Sequence, residues 1–226
     1  MDFPYPLFRV PGAQVLGTLE QLHCSGNGVP IILGDEESFN RVQDGMEVEE
    51  GYVLADLVVQ MLAEIDEIDP QLWFAERAEE DPEYYAIEAG EWPDDIEVPS
   101  DNLIAHCDIL TGEPYPEVFI AAIPAEHSWM TPCYLNFGNW NAVPSAPEHA
   151  AIFRYWLEKY GASVVSLADD VVELIVARPP RTREEALALA KEQYIYCPDI
   201  VQQGVGSVEA LAATLINSTV WFFWWD

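Results

Sequence analysis

The chain closes on Val220-Trp221-Phe222-Phe223-Trp224-Trp225 before Asp226, and no other stretch restricts the fold as strongly. Each aromatic ring buries roughly 150–250 Å² when covered. At ~25 cal/mol/Å², five covered rings are worth roughly 20–30 kcal/mol gross, before ordering entropy. The run is far shorter than the ~20 residues needed to span a bilayer. A strand that is apolar on both faces belongs in a sheet covered by more than one layer. The run therefore predicts a central strand, and a domain that does not fold without it.

The segments leading up to this strand carry clear local signals. Ser145-Ala-Pro-Glu148 reads as a capping box, with Pro147 in the first turn where its missing amide hydrogen costs nothing. It predicts a helix running to Tyr160 and closed by Gly161. SVVSLADDVVELIVA reads as two strands about an Asp169-Asp170 turn, broken by Pro179-Pro180. Thr182-Arg-Glu-Glu185 opens a second capped helix reaching about Tyr194, and Ser207 caps a third ending near Ile216. Val118–Ile123 is a continuous apolar run suited to a buried strand, and Met130–Phe137 suits another. The fold class that follows is α+β, a mainly antiparallel sheet with helices packed on it.

The first half is harder to read. Residues 1–45 suggest loop, a strand at Val29–Leu33 and a short helix within Glu36–Gln43. Tyr52–Ile68 places Leu54, Leu57, Val58, Met61, Leu62 and Ile65 on one helical face. Pro70 permits a further helix, Gln71–Glu80. Residues 81–117 read as surface loop holding a short strand near Leu103–Asp108, unusually long for a compact domain.

Charge divides the chain in two. Residues 1–130 hold 29 acids against three bases, a net of −26, while residues 131–226 hold 11 against six, a net of −5. With motif content, this suggests an acidic N-terminal α/β region, 1–114, and a C-terminal α+β domain, 115–226. Apolar content of 50% separates the chain from disordered acidic sequences. A field of this sign repels nucleic acid and anionic lipid and speeds encounter with cations. Nine Lys plus Arg supply no basic stripe for phosphates, so neither direct nucleic-acid binding nor membrane binding is expected. MDFPYPLFRV has no basic region followed by an apolar run, and the four cysteines (Cys24, Cys107, Cys133, Cys197) lack CxxC spacing. A cytoplasmic protein with free thiols is expected.

Asn136-Phe-Gly-Asn-Trp140-Asn141, Glu148-His-Ala-Ala-Ile-Phe-Arg-Tyr-Trp156, Ala177-Arg-Pro-Pro180, Tyr194-Ile-Tyr-Cys-Pro-Asp-Ile200 and the terminal Trp-Phe-Phe-Trp-Trp-Asp resemble the bacterial family called domain of unknown function 4253. The resemblance covers about residues 115–226, with the motifs in order and similarly spaced. It implies an α+β domain and no established reaction. Members commonly read Gly-Gly-Trp-Asn, then an acidic or polar residue and Cys-Pro; here Val143 stands where that cysteine is expected. The departure tells against catalysis at that loop.

Three groups of residues invite a chemical reading. Trp140 and Asn141, in the loop before a capped helix, suit a concave site for a small ligand or peptide. The plainer role is Trp140 plugging the core and Asn141 satisfying loop backbone. His149, Cys197 and Asp199 combine base, thiol and carboxylate, with His149 paired to Asp199 as base and orienter. Against this, no Gly-x-Ser-x-Gly elbow accompanies them, and a cysteine before proline is typically a small buried hydrophobe. His23-Cys24 and His106-Cys107 hold zinc-ligand types, but adjacent residues in extended chain point opposite ways. No metal and no cofactor are expected.

The acidic clusters Asp35–Glu37, Glu47–Glu50, Glu64–Asp69, Glu79–Glu83 and Asp94–Glu97 are the main functional lead. Interleaved Trp73, Trp92, Tyr84 and Tyr85 would be aromatic anchors inside a carboxylate rim, a layout suited to a basic protein surface. The plainer role is a solvated acidic face. The sequence thus favours a non-enzymatic acidic binding protein that engages a basic partner. The most concrete form is an immunity-type inhibitor of a nuclease-like toxin, or a mimic of DNA charge. The alternative is an enzyme or small-ligand binder with its site between the Trp140-Asn141 loop and the Cys197-Pro198-Asp199 turn.

Overall fold

The computed structural model describes residues 3–48, 51–85, 90–94 and 102–226. The acidic stretches Glu47–Glu50 and Asp94–Glu97 lie partly outside the described residues, as does much of the long connection before residue 102. Six strands form one sheet in the order β1-β3-β2-β4-β5-β6: β1 is Leu7–Val10, β2 Val29–Gly34, β3 Val118–Ile123, β4 Ala162–Ala168, β5 Val171–Val176 and β6 Val220–Trp224. Only β2 and β4 run parallel; every other neighbouring pair is antiparallel. The fold is α+β, as expected.

Strands from the expected regions 1–114 and 115–226 share one sheet. β1 and β2 come from the acidic half, yet they flank β3 and join the hairpin β4–β5 in the same sheet. The reason lies in the apolar runs. Val29–Gly34 is almost wholly buried and Val118–Ile123 wholly so, and strands without a polar face need neighbours and cover on both sides.

The terminal strand is likewise corrected. β6 lies at the sheet edge, paired only with β5. Its alternation explains how an aromatic run can sit there. Trp221, Phe223 and Trp225 point into the helical layer at 1%, 0% and 1% exposure, while Phe222 and Trp224 are half-buried on the other face. Three rings, not five, therefore carry full burial. The edge is capped locally: the Ser218 hydroxyl donates to the Val220 carbonyl (2.7 Å), and the Cys197 thiol donates to the Trp224 carbonyl (3.0 Å). Side chains thus occupy acceptors that an exposed edge would offer to another chain.

Eight helices surround the sheet among the described residues: α1 Val15–Ser25, α2 Glu36–Gly45, α3 Leu54–Glu64, α4 Pro70–Glu80, α5 Thr131–Leu135, α6 Ala146–Tyr160, α7 Arg183–Tyr196 and α8 Val208–Leu215. Both expected capping boxes form, at Ser145/Glu148 and Thr182/Glu185, and Gly161 ends α6 in the left-handed region (φ 64°). α6 is the spine of the main core. Trp156 stacks on Phe223 (centroids 5.6 Å, planes 8° apart) and meets Trp221 edge-on. α4 packs outside α6 and α7, and α3 outside α5 and α6. Helix α1 and the 103–115 segment cover the opposite face, over Ile32, Val118 and Ile120.

Several elements differ from the sequence reading. β1 and α1 fall where loop was expected; α1 carries Gly17 near its start and has no capping side chain at Gln14, so the usual start signal is missing. Leu103–Asp108 is no strand: its pairing is an isolated Cys107–Pro114 bridge. Met130–Phe137 is a turn of 3-10 helix followed by α5, because Pro132 in the first turn favours helix and removes a ladder donor.

Candidate functional site

The Asn136–Asn141 loop owes its composition to its backbone. Asn136, Gly138, Asn139 and Asn141 have φ of 47°, 105°, 66° and 46°. Glycine and asparagine are the residues that enter this region at least cost. A Cβ on Gly138 would lie 2.0 Å from the Pro144 carbonyl oxygen and 3.0 Å from the His149 ring. Asn141 sends its amide to the Asp226 carbonyl (3.2 Å). Val143 is buried in the main core, so the position where the resembled pattern has cysteine is filled here by an apolar side chain.

This loop walls a cleft of about 380 Å³ together with α2, the β4–β5 turn and the chain end. Trp140, Phe137 and Trp225 supply aromatic surface; Arg41, Asp169, Asp170 and Asp226 supply charge. Arg41 is committed at both ends, to Glu37 (2.7 Å) and Asp169 (2.8 Å). Asp169 and Asp170 are held above the usual carboxylate range by burial first; Arg41 opposes the shift in both, and Asp226 adds to it in Asp170. The carboxylates of Asp170 and Asp226 have no cationic partner among the described residues.

The structure draws the Trp140-Asn141 loop and the Cys197-Pro198-Asp199 turn to the same chain end, but not into one cleft. Asp226 bridges them, its carbonyl taken by Asn141 and its N–H given to Asp199 Oδ2 (3.1 Å). Neither Cys197 nor Asp199 lines the cleft. His149 is fully buried; its Nδ1 meets the Tyr196 hydroxyl at 2.7 Å, not Asp199. Burial, then the charge of Arg77, lowers its pKa to about 3, so it is neutral at physiological pH. Burial also pushes the Cys197 thiol and the Tyr196 phenol well up. The base–orienter pair does not form, and Cys197 is a thiol donor in a packed turn rather than a thiolate nucleophile.

Of the sequence-predicted anchors, Trp73, Tyr85 and Trp92 are partly buried and Tyr84 is exposed. Trp73 donates to Glu148 (2.7 Å), whose other oxygen takes the Ser145 N–H and hydroxyl, so one carboxylate caps α6 and clamps α4 to it. Arg77, the only base of α4, lies over the Trp73 and Tyr85 rings and donates to the Ala142 carbonyl. Trp92 sits under Arg183 at 4.3 Å. Tyr84 is partly exposed, and its carbonyl accepts from Tyr194 (3.0 Å) and Gln202 (3.1 Å). These aromatics fasten the acidic segment to the C-terminal helices.

What remains outside is charge. Asp56, Glu67, Glu76, Glu79 and Glu80 are exposed, and their carboxylates form neither a hydrogen bond nor an ion pair among the described residues. Tyr52, Val53, Val59 and Leu72 are the large apolar side chains exposed in and beside α3 and α4. Sequence reasoning took Asp169-Asp170 only as a turn and did not associate Arg41 or Asp226 with Trp140. The doubled aspartate at a hairpin tip was the available signal, since one of the pair suffices for a turn.

Among the described residues, no three His, Cys, Asp or Glu side chains gather to hold a metal ion, and no helix is long and apolar enough to cross a membrane. Residues 119–226 match the family model described as "Domain of unknown function (DUF4253)", the family whose motifs the sequence resembles. Searches among curated proteins and among solved structures find no match.

Proposed function

We propose that this protein is a non-enzymatic acidic binding module that engages a basic protein through the outer face of α3 and α4. Inhibition of a nuclease-like toxin is the most concrete form, and mimicry of DNA charge its close relative. The observation that carries this reading is the unpaired carboxylate surface. Asp56, Glu67, Glu76, Glu79 and Glu80 face water without side-chain partners among the described residues, while Arg77 turns inward. Of the remaining cations, Arg154 reaches this region and is held by Asp66 at 2.6 Å. Such a surface steers cations over long range, and exposed Tyr52, Val59 and Leu72 add apolar contact at close range. A site between the Trp140 loop and the Cys197-Pro198-Asp199 turn has less support, because the two segments share no cleft.

The test is capture of a basic protein by the immobilised chain at low salt, with release at high salt. The variant D56N/E67Q/E76Q/E79Q/E80Q serves as control and is expected to bind the captured protein at least about 10-fold more weakly. Recovery of nothing basic, or equal retention by the variant, sinks the reading.

A further inference from the structure

We infer that the cleft beside Trp140 is a seat for one guanidinium or alkylammonium group, supplied by a basic side chain of a protein partner. The assignment of the source rests on the function proposed above; the cation chemistry stands on the cleft itself. Three carboxylates, Asp169, Asp170 and Asp226, line it against one guanidinium. Arg41 pairs with Glu37 and Asp169, which leaves Asp170 and Asp226 without an ion-pair partner among the described residues. A hard metal ion would require oxygen ligands on most sides, whereas Trp140 and Phe137 form much of this wall and no metal-holding group exists among the described residues. Carboxylates beside aromatic faces suit an organic cation, which gains charge-assisted hydrogen bonds and attraction to the rings together.

A second observation narrows the source. Trp225 lines the cleft at 1% exposure, and its indole N–H has no acceptor among the described residues. A buried donor without a partner is costly. A ligand that brings a carbonyl beside its cation, as a residue within a peptide does, offers what that donor lacks. A polyamine does not.

Calorimetry and ligand-observed NMR with Nα-acetyl-arginine amide and Nα-acetyl-lysine amide test this directly, with Nα-acetyl-citrulline amide as the uncharged isostere. Saturable binding of the arginine or lysine probe is expected, with the citrulline probe at least about 10-fold weaker. Asp170→Asn is expected to weaken the cationic probes by about 10-fold. Trp140→Leu, which leaves the carboxylates in place, should also weaken them. Melting curves confirm that each variant is folded. Agmatine, which has the guanidinium but no carbonyl, is expected to bind less well than the acetylated arginine; tighter binding of agmatine overturns the side-chain assignment. No saturable binding of any cation, or equal binding by folded Asp170→Asn, overturns the seat. The five-carboxylate variant of α3–α4 separates the two proposals, since it should lose the basic protein yet keep the arginine probe.

Discussion

The outer helices α3 and α4 and the turn that follows α7 both carry acids and aromatic rings, under opposite conditions. On α3 and α4, Asp56, Glu76, Glu79 and Glu80 are solvated and have no ion-pair partner among the described residues. At the turn, His149, Tyr196 and Cys197 are fully buried, each with a packed partner, and each is pushed towards its neutral form. Titratable side chains therefore do unlike work. Inside, they fix the geometry of a core; outside, they set a field. A cluster of titratable residues in a sequence looks catalytic in either setting, and burial with partners decides which it is.

The largest expected effect breaks the interior side. Gly138→Ala places a Cβ against the Pro144 carbonyl at a φ of 105° that L-residues rarely adopt. We expect a loss of more than about 3 kcal/mol, or about 6–12 °C in melting temperature for a chain of this size. A loss below about 1 kcal/mol would show that the loop moves freely off His149, and with it that the interior is softer than described.

The next effect turns on protonation. The folded pKa of His149, about 3, lies below its unfolded value of about 6.5. Between these pH values the unfolded chain binds the extra proton, so this contribution is fully present above about pH 6.5 and is lost as pH falls towards 3. His149→Gln keeps a neutral hydrogen-bonding side chain without the titration. The stability difference between wild type and variant should therefore grow by a few kcal/mol as pH rises from 3 to 6.5, read from denaturant unfolding. A difference flat across that window would place His149 in water. Glu173 runs the other way: burial pushes its pKa up to about 7 against the opposing Ile104 and Ala105 N–H groups, so its contribution is present below about 4.5 and lost as pH rises to 7.

Much of the C-terminal fold was legible because its signals are local. Two capping boxes, a glycine stop and an Asp-Asp turn each specify backbone over a few residues, and each formed where expected. What could not be read depends on distant partners. Whether β6 is central or at the edge is set by which strand pairs with it, and Val220–Trp224 reads alike in either place. α1 lacks an N-terminal capping side chain and is held by packing against the sheet, which is invisible in a window of its own sequence. At the candidate site, Trp140 was legible from its motif. Arg41 and Asp226 stand 99 and 86 residues from it in the numbering, and only the fold brings them to one cleft.

The smallest expected effect sharpens the exterior side. In D56N/E67Q/E76Q/E79Q/E80Q, Asp56 is in the first turn of α3, where a negative charge favours the helix dipole, so its loss costs about 0.3–1 kcal/mol. Glu79 and Glu80 are in the last turn of α4, where negative charge opposes the dipole, so their neutralisation gains a similar amount each. The net charge of −31 adds self-repulsion that every neutralised acid relieves. The variant should therefore be as stable as wild type or more so by about 1 kcal/mol, with the gain shrinking as salt rises. Thermal melts at low and high salt measure this. A variant that is clearly less stable would mean that these carboxylates hold the fold together, and the contrast between a structural interior and a solvated, unpaired exterior would fail on its outer side.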